Sequence, residues 1–366
     1  MVSSFDLTFG KLPFNFLSRE DLVNEICFDF CSENPNSNLY VISGARGSGK
    51  TVLLNKIYKG MMDIDDWIVI KVNPDRDILE QIAANIYENE NVRHLFVKKS
   101  FSFSFHCVSF SIEGKTPVSN IKTLVKKLFD YLKKENKRIL VCMDEATNSK
   151  EMKAFAHDFQ EFIGDGYDIF LLMTGLYENI ASLQNNKSLT FLYRAPKIYL
   201  EPLDLNDIFT SYLKTFKDKS REEIKQLTLL TKGYAYAYQL LGYLYTNVGQ
   251  INKKLLEKFD ASLKDYCYDK IYENIPESEL KILRTIPKEG LCTSRYMVDN
   301  SDFTIKNISV YKDRLIKRGI LRNKKGVFDI ILPRFREFLD VKSEFDFIVR
   351  RYTPTTTSFC FVSCSA

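Results

Sequence analysis

The stretch Asn38–Gly60, NLYVIS-GARGSGKT-VLLNKIYKG, decides the fold. A short apolar run, a Gly-rich turn and a periodic apolar run read as strand, turn and helix. Within it, Gly44–Thr51 fits G-x-x-x-x-G-K-[ST] in full, a match that arises by chance in about one chain per hundred of this length. Each residue type has a physical reason. Glycines let successive amide N–H groups converge on phosphate oxygens, and the N-terminus of the following helix adds to that polarity. Lys50 offers a positive charge to the β and γ phosphates, and the Thr51 hydroxyl is a candidate Mg2+ ligand. Gly44, Ala45, Arg46, Gly47, Ser48, Gly49, Lys50, Thr51 and Val52 are the candidate phosphate-binding residues. ATP with Mg2+ is the expected ligand.

Further apolar runs follow: Trp67–Val72, Arg138–Met143, Asp168–Gly175 and Lys197–Leu200. Helical stretches separate them, one opened by Asp77 and one carrying Met152, Phe155, Phe159 and Phe162. Strands alternating with helices predict an α/β domain, a parallel sheet covered on both faces. The run ILVCMDE delivers Asp144 to a strand's carboxyl end, beside the expected metal. Glu145 is then placed to polarise the water that attacks the γ-phosphate. Phe101, Phe103 and Phe105 alternate with Ser102 and Ser104, which predicts an inserted β-hairpin over about 95–117.

The chain has 366 residues and a formal net charge of +5, a length that suggests two or three domains. No run approaches the roughly 18–20 apolar residues of a membrane-spanning helix. The first residues lack a secretory pattern, so a cytoplasmic location without a membrane partner is expected. Eight cysteines read as reduced thiols rather than a disulfide framework. His94, His106 and His157 are not spaced as metal ligands.

After residue 202 the pattern turns helical, predicting a helical lid over 203–274. From Pro276 it reads as three helical segments, a strand, a basic Gly turn and a strand. That order is expected of a winged helix-turn-helix, set at 275–340 and followed by a poorly ordered tail at 341–366. Ser301–Gly326 holds eight basic residues against two Asp, net +6. The eight are Lys306, Lys312, Arg314, Lys317, Arg318, Arg322, Lys324 and Lys325, candidate contacts to DNA phosphates.

Taken together, these parts resemble the AAA+ class of P-loop ATPases, in the origin-recognition-like and STAND-like branch that ends in a winged helix. The chain is also similar to bacterial proteins labelled only as ATP-binding, through GARGSGKTVLL, MTGLYENI, LTFLYRAPKIYLEPL and LTKGYAYAYQLLG. The resemblance covers about residues 10–340. It implies a sensor-1 role for Thr174, an arginine finger at Arg194, and an adenine-pocket segment at Ser18, Arg19 and Glu20. The sensor-2 arginine common in that class is missing, because Tyr234, Ala235 and Tyr236 follow Gly233 and only Lys232 is basic. Slow hydrolysis is therefore expected. Two functions follow from these readings: an ATP-hydrolysing switch on duplex DNA, or a STAND-like signalling or scaffolding ATPase whose partner is another protein or a second copy of the chain.

Overall fold

The computed structural model describes residues 5, 7, 15–17, 19–97, 103–104, 109–110, 120–185, 189, 191–288 and 291–352. Helix α1 (Glu20–Cys31) leads into β1 (Leu39–Ser43), the phosphate-loop turn and α2 (Lys50–Met62). Next come β2 (Trp67–Val72), α3 (Ile78–Glu88), α4 (Glu90–Val97), β3 (Phe103–Ser104), β4 (Ser109–Phe110) and α5 (Ile121–Lys134). The α/β unit closes with β5 (Arg138–Met143), α6 (Lys150–Gly164), β6 (Ile169–Gly175), α7 (Tyr177–Gln184), α8 (Phe191–Arg194) and β7 (Lys197–Tyr199).

The main sheet has the order β2-β5-β6-β1-β7, and every pairing in it is parallel. Its central strands β1 and β6 are buried along their whole length. Alternation explains how. Val41, Val141 and Leu171 enter one apolar cluster with α3, α5 and α6. Their neighbours Tyr40, Ile42, Leu140, Cys142, Phe170 and Leu172 enter another with α1 and α2. Successive side chains leave a strand on opposite faces, so each central strand feeds both layers. Helix starts follow the expected cap chemistry: Asp77 accepts from the Glu80 amide at 2.9 Å and Ser149 from the Met152 amide at 3.0 Å.

The remaining chain is α9 (Leu205–Thr215), α10 (Arg221–Thr231), α11 (Ala235–Val248), α12 (Lys253–Leu263), a π-helical turn at Lys264–Tyr268 and α13 (Asp269–Glu273). Then come α14 (Glu277–Thr285), β8 (Cys292–Thr293), α15 (Ser294–Asp299), α16 (Ile305–Lys317), β9 (Leu321–Lys324), β10 (Val327–Ile330) and α17 (Phe335–Tyr352). Strands β8, β10 and β9 form an antiparallel sheet in that order. Helix, strand, helix, helix, strand, strand is the order the sequence suggests, with β8 added.

Three expectations change. The tail set at 341–366 begins too early, because α17 runs on to Tyr352. Phe335 and Leu339 on its first turns are fully buried, Phe335 against the Tyr268 ring at 4.9 Å. The hairpin set at 95–117 starts too early as well, since α4 occupies the chain to Val97. Phe103–Ser104 and Ser109–Phe110 do pair antiparallel, while Phe101 and Phe105 lie outside the described residues. Finally, one apolar cluster runs from Ile208 and Tyr212 through Phe259 to Leu315, Phe328 and Leu339, so the segments expected to be lid and winged unit share a core across the boundary drawn at 274. The N-terminal Phe5 joins it, 2% exposed between the rings of Tyr212, Phe216 and Tyr238.

Candidate nucleotide site

The turn after β1 sits at the carboxyl end of the sheet, where β5 delivers Asp144 and β6 delivers Thr174. Its carbonyls account for the shape of the loop. Lys50 Nζ donates to the Gly44 and Ala45 carbonyls at 3.0 and 2.9 Å. The Tyr234 hydroxyl donates to the Arg46 carbonyl. The Tyr236 amide donates to that of Gly47 at 3.1 Å, and Leu53 to that of Gly49 at 3.0 Å. Arg19 completes the set through the Ser48 carbonyl at 3.3 Å. Every carbonyl from Gly44 to Gly49 thus has a donor, those of Arg46, Gly47, Ser48 and Gly49 from outside the Gly44–Thr51 loop. The amides of Arg46, Gly47, Gly49, Lys50 and Thr51 have no acceptor among the described residues. Amides converging at the start of α2 form an anion-binding concavity.

Gly47 has φ +78°, and a β-carbon there would come 3.0 Å from Cβ of Tyr236. Only glycine meets both demands. The Ser48 hydroxyl is buried with no hydrogen-bond partner, an orphan donor beside the amides.

A cleft of about 320 Å³ opens over the loop, within the size range of small-molecule sites. Arg46, Gly47, Gly49, Lys50, Thr51 and Val52 line it from the loop and α2, Glu145 from the β5 end, and Ala235, Tyr236, Tyr238 and Gln239 from the lid. Phe16, Leu17 and Leu203 make an apolar end suited to a base. Arg19 lines the same cleft, also donating to the Glu201 carbonyl at 2.7 Å. Burial lowers its guanidinium to about 10, against a smaller opposing pull from Glu201. Ser18 lies outside the described residues.

Lys50 is 9% exposed. Burial depresses its ammonium to about 8, while Asp144 and then Glu145 pull the other way. The Thr174 hydroxyl, fully buried, donates to Asp144 and accepts from the Glu145 amide at 3.2 Å. It does not cap α7, whose N-cap is Leu176. Glu145 is exposed, lines the cleft and holds a left-handed backbone at φ +54°. Such a conformation is costly for a residue with a β-carbon and clusters at functional sites.

Other expected residues fall elsewhere. Arg194 is exposed at the end of α8, before β7, and does not line the cleft of its own chain. Lys232 turns away from the phosphate loop, donating to the Ile330 carbonyl at 2.9 Å and pairing with Asp329 at 3.2 Å. It therefore does not stand in for the missing arginine. The basic set of the winged unit is largely engaged. Arg318 is buried, paired with Glu178 of α7 and, at 3.0 Å, with the fully buried Glu279. Lys317 pairs with Asp313 at 2.6 Å, Arg322 with Asp329 at 3.2 Å and Arg314 with Glu279 at 3.8 Å. Lys312 lies over the Phe328 ring and donates to Ser294 at 2.5 Å. Lys306, Lys324 and Lys325 are exposed and make no ion pair among the described residues.

Sequence reasoning missed Tyr234 and Tyr236 as loop partners; the aromatic run after Gly233 was visible, but not what it touched. Among the described residues no group of three or more His, Cys, Asp or Glu could hold a metal. No helix there is long and apolar enough to cross a membrane.

Residues 16–189 match a family described as an ATPase domain predominantly from Archaea. No curated protein matches the chain. Two solved structures share its architecture. A Walker-type ATPase of Pyrococcus abyssi is 17% identical with TM-score 0.61, over 92% of this chain and 99% of its own. The ORC2 protein of Aeropyrum pernix, in ADPNP–ADP complexes, is 16% identical with TM-score 0.52, over 93% and 98%. The chain shares with these two structures the α/β P-loop fold, a parallel sheet covered by helices.

Proposed function

We propose that the chain binds ATP with Mg2+ in this cleft and hydrolyses it slowly, as a switch acting on duplex DNA. The ATPase reading rests on one observation above all: the loop's carbonyls are all bonded, leaving its amides at a cleft that Lys50 and Glu145 also line. In that arrangement the amides bind phosphate oxygens and Lys50 balances their charge. Thr174 fixes Asp144 and the Glu145 amide, so the Glu145 carboxylate can hold a water and take its proton. The oxygen donors of Thr51 and Asp144 suit a small hard cation, and would hold Mg2+ together with the phosphates. When bound, that ion supplies charge neutralisation on the phosphate oxygens. Arg194 is proposed only as a contact to a neighbouring copy's nucleotide.

Calorimetric titration and phosphate release test this with the intact chain, Lys50→Ala and Glu145→Gln. Lys50→Ala is expected to lose nucleotide binding. Glu145→Gln is expected to keep ATP and lose turnover by about a hundredfold or more. Undiminished hydrolysis in Glu145→Gln removes that residue as the base.

For DNA, Lys306 near the start of α16 and Lys324 and Lys325 at the β9–β10 turn are the proposed phosphate contacts. A second reading, a protein partner, is favoured by Ile305 and Val310, which leave α16 60% and 44% exposed.

A further inference from the structure

The lid touches the phosphate loop at two adjacent carbonyls. Tyr234, the N-cap of α11, is 4% exposed and sends its hydroxyl to the Arg46 carbonyl. Two residues on, the Tyr236 amide meets the Gly47 carbonyl at 3.1 Å. Burial raises the Tyr234 hydroxyl well above its ordinary range, so it stays protonated and can only donate here. A third element packs beside it: the π-helical turn Lys264–Tyr268 carries Cys267, 3% exposed, in the same buried surroundings. Such turns displace one residue from the regular helical ladder and recur at functional sites. The adjacent basic side chain, Lys232, is engaged by the β10 strand.

We propose that Tyr234 is a positioning residue which, with the Tyr236 amide, clamps the Arg46 and Gly47 carbonyls, so that lid closure and nucleotide affinity are a single event. The proposal rests on the nucleotide reading of the cleft. Where the usual device in this class is an arginine reaching the phosphates, this lid acts on the other side of the loop. Holding a peptide's carbonyl fixes the plane of that peptide and hence the direction of the next N–H. The Arg46 carbonyl aims the Gly47 amide, and the Gly47 carbonyl fixes that of Ser48, which closes the turn on the Ala45 carbonyl at 3.2 Å. Losing the clamp leaves a carbonyl unsatisfied and the Gly47 amide free to turn from the phosphates.

The test compares the full-length chain with Tyr234→Phe and Lys50→Ala, titrated with ADP and with ATP. Tyr234→Phe removes one oxygen and keeps the ring. It is expected to weaken both nucleotides about tenfold. The same factor should appear in KM with kcat within about twofold, since preorganisation is lost equally in ground and transition states. In the unsubstituted chain, ADP should slow hydrogen exchange of the Tyr236 amide, and Tyr234→Phe should abolish that slowing. Affinity within twofold of the parent, a fall in melting temperature without a change in affinity, or Tyr236 exchange indifferent to ADP each overturns the clamp. Parent binding abolished by Lys50→Ala but untouched by Tyr234→Phe overturns the clamp alone. A parent chain that binds neither nucleotide overturns the cleft reading and the clamp together.

Discussion

Lys50 is where a single side chain links binding to pH. Burial lowers its ammonium to about 8 from 10.5, so the folded protein releases this proton earlier than the unfolded chain. Between those values the unfolded state binds more protons, and stability gains from Lys50 as pH rises from 8 towards 10.5. Phosphate binding acts in the opposite sense, because a polyanion favours the charged form. At pH 8 the free protein should take up about half a proton on binding ADP. Calorimetry in buffers of different ionisation enthalpy measures this, and Lys50→Ala should show none. The placement of Lys50, Thr51, Asp144 and Glu145 at the carboxyl end of the sheet was legible in the sequence, because their spacing follows from local strand–turn–helix chemistry. The left-handed backbone of Glu145 was not. No residue type announces it, and it follows from the Asp144 and Thr174 bonds that hold its amide.

At the scale of elements, the join between α16 and the α/β unit turns on Arg318. Its guanidinium lies between Glu178 of α7 and Glu279 of α14, the latter wholly buried and raised above the usual carboxylate range by that burial. Arg318→Ala leaves Glu279 a buried carboxylate with only the more distant Arg314. It should destabilise the protein by about 3 kcal/mol, with Glu279→Gln in the same chain restoring much of the loss. Paired denaturant melts of the parent and the two variants check it. A sequence shows α16 as amphipathic and basic, but not which charges meet carboxylates from α7, α14 or β10. Those partners lie far apart along the chain. The run that became α17 was hidden for a related reason: Phe335 and Phe338 meet the ring of the distant Tyr268.

Across the whole molecule, the charge balance sets how DNA binding should depend on salt. Eight basic residues read from the sequence would imply a log–log slope near −7. With only Lys306, Lys324 and Lys325 unpaired, the slope should be about −2.7. Affinity for a duplex should thus fall about fortyfold between 50 and 200 mM salt. Fluorescence anisotropy measures this; a flat response favours the protein-partner reading. The sheet, its covering helices and the order of the C-terminal elements were legible because each rests on short-range periodicity. The docking of the winged unit was not, since it joins the chain's two ends. Gly319 sits at that join with φ +71°, and a β-carbon there would lie 2.9 Å from the Ala45 amide. Two positions near opposite termini therefore share room for little more than one methyl group. Evolutionary drift at either should be constrained by the other. Among related sequences, bulk gained at position 45 should coincide with an altered or shortened connection after α16, and never with a larger residue at 319.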